Sequence, residues 1–488
     1  MSLSSIRREW LANPTREMLA GAVATFALIP EVIAFSFAAG VDPQVGLFAS
    51  FVIGIVIAFS GGRPAMISAA AGSVALVAAP LVHGHGLPYL FAAGLLAGII
   101  QIVFGLLRLG VLMRFVSKSV RTGFVNALAI LIFAAQVPHI IDGGVVGYAF
   151  LAAGLILIYL APRITTALPS PLICVVVLTV ASVTLKLPVL TVADLGRLPD
   201  SLPVFAWPEV PLNLETLRII AGPALAIAMV GLLESMMTAS VVDDLTDTPS
   251  SKNRESAGLG LANAASSLFG GIAGCGMIGQ TISNVKYGGR GRLSTLFAGA
   301  FLLVLMVLLK PWVSQVPVAA LVAIMIMVSI DTFDWSSVRK LVVHPKISSA
   351  VMLATVVVTV ATSNLALGVT VGVLLSGVFF TFKVASLLHV EIERDAGTRR
   401  IFYRVSGQVF FASADVFVES FDVRDAADMS VTIDVSRAHF WDITAVAALE
   451  KVVQRFKTHG AQVELIGVNE ASSTLIERLD SSVVVGEV

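Results

Sequence analysis

The stretch Gly61 to Pro80, GGRPAMISAAAGSVALVAAP, decides how this chain is read. It opens with a basic hairpin, Gly61-Gly62-Arg63-Pro64. It then reaches the small cluster Ala69-Ala70-Ala71-Gly72-Ser73 and continues as an apolar helix. A lipid-facing helix has no use for its smallest and most polar residues at its middle. A helix that begins halfway across a bilayer does, because its first N–H groups have no intrahelical partner and, with the helix dipole, favour an anion. Transporters place interrupted helices of this kind at the midplane. The competing reading is close packing of two helices through small residues.

Composition sets the class. The 488 residues are 57% hydrophobic and 13% charged, with mean hydropathy +0.91. A soluble domain carries about 25% charge, so the chain reads as a polytopic membrane protein. Net charge is zero, which gives no basic footprint for nucleic acid. Cys174 and Cys275 lie far apart in apolar surroundings and suggest neither a disulfide framework nor a zinc site. The first 17 residues show no apolar core followed by a cleavage site, so the first apolar span is expected to act as the insertion signal.

Apolar spans follow a short arm, 1–17, at roughly 18–39, 44–60, 64–82, 88–107, 115–137, 146–161 and 169–186. A polar connection, 187–216, holds five prolines. A second series lies at roughly 217–241, 256–272, 275–287, 293–310, 317–330, 346–362 and 366–388. Seven and seven, an odd number in each half, places the halves in opposite orientation. The two most interrupted spans are each third in their series, the pattern that marks a transporter binding site. Lys and Arg concentrate in alternate loops, including Arg63, Arg108, Arg121, Lys252, Arg254, Arg290, Arg292, Arg339 and Lys340. By the positive-inside rule those loops and both termini are expected to be cytoplasmic. Residues 390–488 have ordinary charge and alternate strands (401–405, 431–435, 463–468) with helices (414–421, 443–456, 471–479), a small α/β domain.

Ionisable residues inside a membrane are costly and point to function. Glu31 follows Pro30 in the first span, and Glu234 lies in the eighth. Each span is first in its half, and AGAVATFALIPE is loosely echoed by AGPALAIAMVGLLE. Either acid suits a proton carrier; either also suits a neutralised helix-to-helix contact. Thr238 stands one turn beyond Glu234 on the same face. Around Gly279-Gln280-Thr281 the tenth span mirrors the opening stretch, so two helix starts would aim their positive ends at one point. His83-Gly84-His85 is expected to be a plain outside loop, with no third ligand to make a metal site. Asp243, Asp244 and Asp247 are expected to be a solvated turn. No nucleophile–base motif such as G-x-S-x-G or H-E-x-x-H is present, which argues against an enzyme.

The run Asp42-Pro43-Gln44-Val45-Gly46-Leu47-Phe48, the hairpin Gly61-Gly62-Arg63-Pro64 and Gly279 to Lys286 with Gly288-Gly289-Arg290 resemble the bacterial sulfate permease family, relatives of the solute carrier family 26 anion transporters. Asp434-Val435-Ser436 followed by Asp442-Ile443-Thr444 resembles the core of a STAS domain. The resemblance implies a transport domain over 18–388, with inverted repeats at about 18–186 and 217–388, divided into core and gate. It also implies a STAS domain over 390–488, a homodimer, and anion transport without a cofactor. It places the anion at Ala71, Gly72, Ser73, Gln280 and Thr281, and the coupling-ion or proton site at Glu234 with Thr238, with Glu31 as the second candidate. Sodium-coupled members resemble this chain but carry Asp at the Glu234 position, which favours protons here. Many eukaryotic members have Arg where this chain has Gln280. Thr444 sits where regulatory STAS modules accept phosphate; here it is expected to cap the next helix.

The function expected is proton-coupled symport of a small anion (sulfate, bicarbonate or a C4-dicarboxylate) by alternating access. An uncoupled uniporter or channel is the first alternative. A nucleobase permease is the second, since those carriers resemble the same membrane architecture but lack a STAS-like domain. A membrane regulator with the STAS-like domain as output, open to a cytoplasmic partner, is the third.

Overall fold

The structure, a computed structural model, describes residues 9–141, 143–164, 169–343, 346–395, 399–424, 426 and 429–478. The chain divides into two units, before and after Val373. The first half of unit 1 comprises α1 (Pro14–Ala38), α2 (Pro43–Ser60), β1 (Ser68–Ala69), α3 (Gly72–His85), α4 (Leu87–Leu106), α5 (Lys118–Ile141), α6 (Gly144–Ile164) and α7 (Ser170–Leu185). The second half comprises α8 (Leu214–Thr246), α9 (Lys252–Leu268), β2 (Cys275–Gly276), α10 (Ile278–Lys286), α11 (Arg292–Val313), α12 (Val318–Thr332), α13 (Lys346–Thr362) and α14 (Leu365–Ala385), the last of which runs on into unit 2.

Helices therefore fall in all fourteen expected regions. Fourteen crossings do not follow, because nine helices among the described residues are long and apolar enough to span a membrane. The helices α3 and α10 are too short to cross, and α7 and α13 are borderline. An amphipathic helix, Trp335–Val343, lies where the sequence reading had only a loop. His83 and His85 form the last turn of α3 rather than a loop, because α3 continues to the positive-φ Gly86.

Local chemistry explains the helix starts. Pro14 and Pro43 open α1 and α2 with their fixed φ, and Asn13 accepts a bond from the Arg16 N–H at 3.3 Å. In the 187–216 connection, Thr191 and Asp194 cap one another around the single turn Val192–Leu195. Two hydrogen bonds from Thr191 hold the Asp194 carboxyl below its ordinary range.

Two bundles emerge from the packing. One holds α1 to α4 with α8 to α11: α9 lies along α4 and α2, and α11 lies along α1 and α2. The other holds α5, α6, α7, α12 and α13. They meet chiefly through α1, which touches α12 and α7. This is the core-and-gate division that the resemblance implies. Small residues permit the closest approach: a Cβ on Gly98 would lie 2.6 Å from the Gly260 carbonyl oxygen, and one on Gly260 2.4 Å from that of Gly98.

In unit 2 a four-stranded sheet runs β3 (His389–Asp395), β4 (Arg400–Val409), β5 (Ser430–Phe440), β6 (Gln462–Ile466). The first pair is antiparallel and the other two are parallel. Helices α15 (Ala414–Glu419), α16 (Ile443–Thr458) and α17 (Glu470–Arg478) complete it, around a core that includes Tyr403, Phe417, Phe421 and Phe456. The strand β3 was not expected, because its outer face is charged and exposed. Asp442, not Thr444, caps α16: its carboxylate accepts from the Ala445 N–H at 2.8 Å and the Phe411 N–H at 2.9 Å, while Thr444 is exposed in the first turn.

Gly260→Val places carbon inside the α4 backbone. Overpacking of this kind costs about 1–3 kcal/mol or more. We expect the variant to lose the monodisperse peak of the wild type in detergent, or to unfold at clearly lower temperature. Gly222→Ala, with no atom within 4 Å of the added Cβ, is expected to match wild type.

Candidate functional site

β1 and β2 pair antiparallel inside the first bundle, Ser68 opposite Gly276 and Ala69 opposite Cys275. Antiparallel pairing sends the two chains out of the ladder in opposite directions. Two residues after β1, α3 begins at Gly72; one residue after β2, α10 begins at Ile278. Both N-caps, Ala71 and Met277, are extended and make no side-chain capping bond. The first-turn N–H groups of two helices therefore flank one short ladder. The small residues are needed here. A Cβ on Gly274 would sit 2.0 Å from the Ala69 carbonyl oxygen, and one on Gly72 would meet the Phe35 ring at 2.7 Å.

Polar side chains from neighbouring helices satisfy the rest of this backbone. Ser50 accepts from the Ala70 N–H at 3.2 Å, and Ser235 accepts from the Gly276 N–H at 2.9 Å. Asn263 takes the Gly274 N–H at 2.8 Å and donates to its carbonyl at 3.1 Å, and it is itself held by Gln101 at 2.9 Å. Thr295 and Asn284 donate to the carbonyls of Met66 and Ala65.

The acids of the two halves cross over. Glu234 on α8 accepts from the Ser73 hydroxyl at the start of α3, and from the Cys275 thiol at 3.1 Å. Glu31 on α1 lies near the Gln280 side chain at the start of α10. The first helix of each half thus reaches the short helix of the other half. Glu234 and Glu31 are 9% and 8% exposed. Asp331 on α12, which the sequence reading did not single out, is an exposed acid of the second bundle.

Ala71, Gly72, Ser73, Gln280 and Thr281 are all buried around the ladder, Ser73 and Thr281 with no exposed surface. Their hydroxyls are not idle. Ser73 is bonded to Glu234. Thr281 accepts from the Ile67 N–H at 3.0 Å and lies 3.3 Å from its carbonyl. Thr238 sits on the face of Glu234, as expected, with its hydroxyl between the carbonyls of Glu234 (2.9 Å) and Gly276 (3.0 Å). Cys275, for which the sequence suggested neither a disulfide nor a zinc site, is part of the Glu234 cluster. Ser50, Gln101, Ser235 and Asn263 were also passed over, although polar residues inside apolar spans are the signal that could have found them. Among the described residues no group of three or more His, Cys, Asp or Glu is disposed to hold a metal.

Charge also fastens the outer ends of this assembly, at the end where α1 begins. Asp243 is not part of a solvated turn: it pairs with Arg63 at 3.0 Å and Lys252 at 2.9 Å, and only Asp244 and Asp247 are exposed. The Arg63 guanidinium also donates to Thr246 and Thr248. Glu255 accepts the N–H groups of Gly62 (2.7 Å) and Arg63 (2.9 Å). Glu17 takes those of Arg290 (2.7 Å) and Gly291 (2.9 Å) in the corresponding loop after α10. One buried carboxylate therefore clamps the hairpin before α3, and a second clamps the loop after α10.

Comparison with known proteins accounts for both units. The model of the sulfate permease family matches residues 15–147 and 144–355, and that of the STAS domain matches 389–485. YbaR of Bacillus subtilis (strain 168) is 50% identical over 475 residues, 97% of this chain and 99% of its own. The bicarbonate transporter BicA of Picosynechococcus sp. is 26% identical over 521 residues, covering 96% of this chain and 90% of that protein. The murine anion transporter Slc26a9, solved in an inward-facing state, shares the fold with a TM-score of 0.84 at 16% identity, over 98% of this chain and 89% of that one. The permease family model and the relatives named are those of transporters, not enzymes, and the chain belongs to the sulfate permease family, with a C-terminal STAS domain.

Proposed function

We propose that this protein is a secondary active anion transporter, coupling a small anion (sulfate, bicarbonate or a C4-dicarboxylate) to protons. Anion transport follows from the family. The finer reading rests on one observation: two uncapped helix starts flank one buried ladder, and a carboxylate from the opposite half meets each. The helix ends supply positive potential for an anion at Ala71, Gly72, Ser73, Gln280 and Thr281 without a cation among those residues. Glu234, with Thr238 beside it, is the proposed proton site, and Glu31 is the second. The first bundle moves as a body against the second and exposes the ladder to either side in turn. The loop cations support a bacterial cytoplasmic membrane with both termini inside. We assign 18–388 to transport and 390–488 to the STAS domain. A homodimer, and a cytoplasmic partner for the STAS domain, complete the reading.

Uncoupled uniport is a second reading, favoured by one contact. A Glu234 oxygen already taken by Ser73 and Cys275 is as well placed to fix α8 against the ladder as to carry a proton.

Uptake of labelled sulfate, bicarbonate and fumarate into proteoliposomes separates the readings. With an inward proton gradient we expect one of these anions to accumulate above equilibrium, and without it only to equilibrate; equal uptake in both conditions selects the uniporter. Glu234→Gln is expected to keep equilibration but lose gradient-driven accumulation at least tenfold, and retained accumulation would remove the coupling role. Ser73→Trp fills the space between α3 and α8 and is expected to abolish uptake of every anion; wild-type uptake by a folded variant would overturn the site assignment.

A further inference from the structure

A groove opens on the seam between the two bundles, with α1 and α11 on one side and α7 and α12 on the other. Its volume is about 180 Å³. Ile33, Met306 and Leu321 line its floor, each 2% exposed. Val176, Val180 and Trp312 form its rim, exposed by 50%, 49% and 68%. The rim belongs to the outward apolar faces of α7 and of the spanning helix α11. The groove is therefore a recess continuous with the lipid-facing surface.

We infer that this recess holds an acyl chain of a membrane lipid, inserted between the bundles. Water is a poor occupant, since a buried water needs two to four polar partners. The lining is apolar apart from Thr179, whose hydroxyl is buried without a hydrogen-bond partner. Nor does a side chain fill it, because the floor residues lie below an open rim. A gap beside hydrocarbon forfeits dispersion contacts on one wall, and a flexible methylene chain restores them. Trp312 lies near the last turn of α11, where an indole suits the boundary between tails and headgroups. The recess runs from there down to Ile29, Pro30 and Ile33 of α1. A chain lodged there lies against the turn that carries Glu31, on the helix that makes most of the contact between bundles. Any sliding of one bundle on the other must bend or expel it. Occupancy itself does not depend on the transport reading.

The test uses the full chain in nanodiscs containing a phosphatidylcholine with a diazirine in one acyl chain, with adducts mapped by mass spectrometry. Adducts on the floor residues Ile33, Met306 or Leu321 are expected, because a chain confined to the outer surface cannot reach them. Val176→Trp closes the rim from an exposed position and is expected to lower floor adducts at least fivefold, while those on the exposed Val357 of α13 stay unchanged. Val180→Trp repeats the closure if the first variant folds poorly. Adducts confined to Trp312 and the rim would overturn the proposal. So would floor adducts that neither variant reduces.

Discussion

A ladder of four residues governs this membrane domain. Inside a bilayer every backbone polar group must find a partner within the protein, and two broken helices leave many without one. Ser68–Ala69 and Cys275–Gly276 pair with each other, and the flanking backbone is bonded by Ser50, Ser235, Asn263, Thr281 and Thr295 from α2, α8, α9, α10 and α11. Each of these bonds ties a different helix to the ladder. Pulling one helix away would strand a buried N–H or C=O at about 1–3 kcal/mol apiece. These bonds hold the first bundle as one body, whereas among the described residues no side-chain hydrogen bond joins α1 to α7 or α12 across the seam.

The crossed acids follow from the same constraint. The short helix of each half packs against the first helix of the other. Glu234 meets Ser73 across 161 positions of sequence, and Glu31 meets Gln280. Neither half forms the Ser73–Glu234 contact alone. The clamps repeat the logic at the end where α1 begins, with Glu255 of the second half holding Gly62 and Arg63, and Glu17 of the first holding Arg290 and Gly291.

Most of the helices were legible because hydropathy and helix length are local properties. The helix starts at Gly72 and Ile278 were legible for a related reason: small and hydroxyl residues are anomalous in the middle of an apolar run. Pairing between the two halves was not. Nothing near Cys275 announces a carboxylate, and nothing near Asp243 announces Arg63, since both contacts are made by topology rather than by spacing. The partners of the hydroxyls were hidden in the same way: nothing in the sequence around Thr281 announces that its hydroxyl bonds the backbone of Ile67. At the other end of the chain, β3 escaped notice because an edge strand with charges on its open face lacks the alternation that marks a half-buried strand.

The arrangement also bears on why an anion site would keep a carboxylate beside it. An anion at the first N–H groups of α3 would lie within a few ångströms of Glu234, which Ser73 already touches. At about 5 Å, with an effective dielectric constant near 20, two like unit charges repel by about 3 kcal/mol. A helix end returns at most about 2 kcal/mol to a charge placed there, so two helix ends barely exceed the repulsion while the acid is ionised. A proton on that acid removes the opposing term and leaves the attraction of both helix ends intact. A site built from dipoles and one buried acid, with no fixed cation, would in this way bind its anion when it also holds a proton and release both together. An Arg at position 280 would add an attraction for the anion that is independent of any proton; Gln280 adds none, and the coupling proposed above depends on that difference.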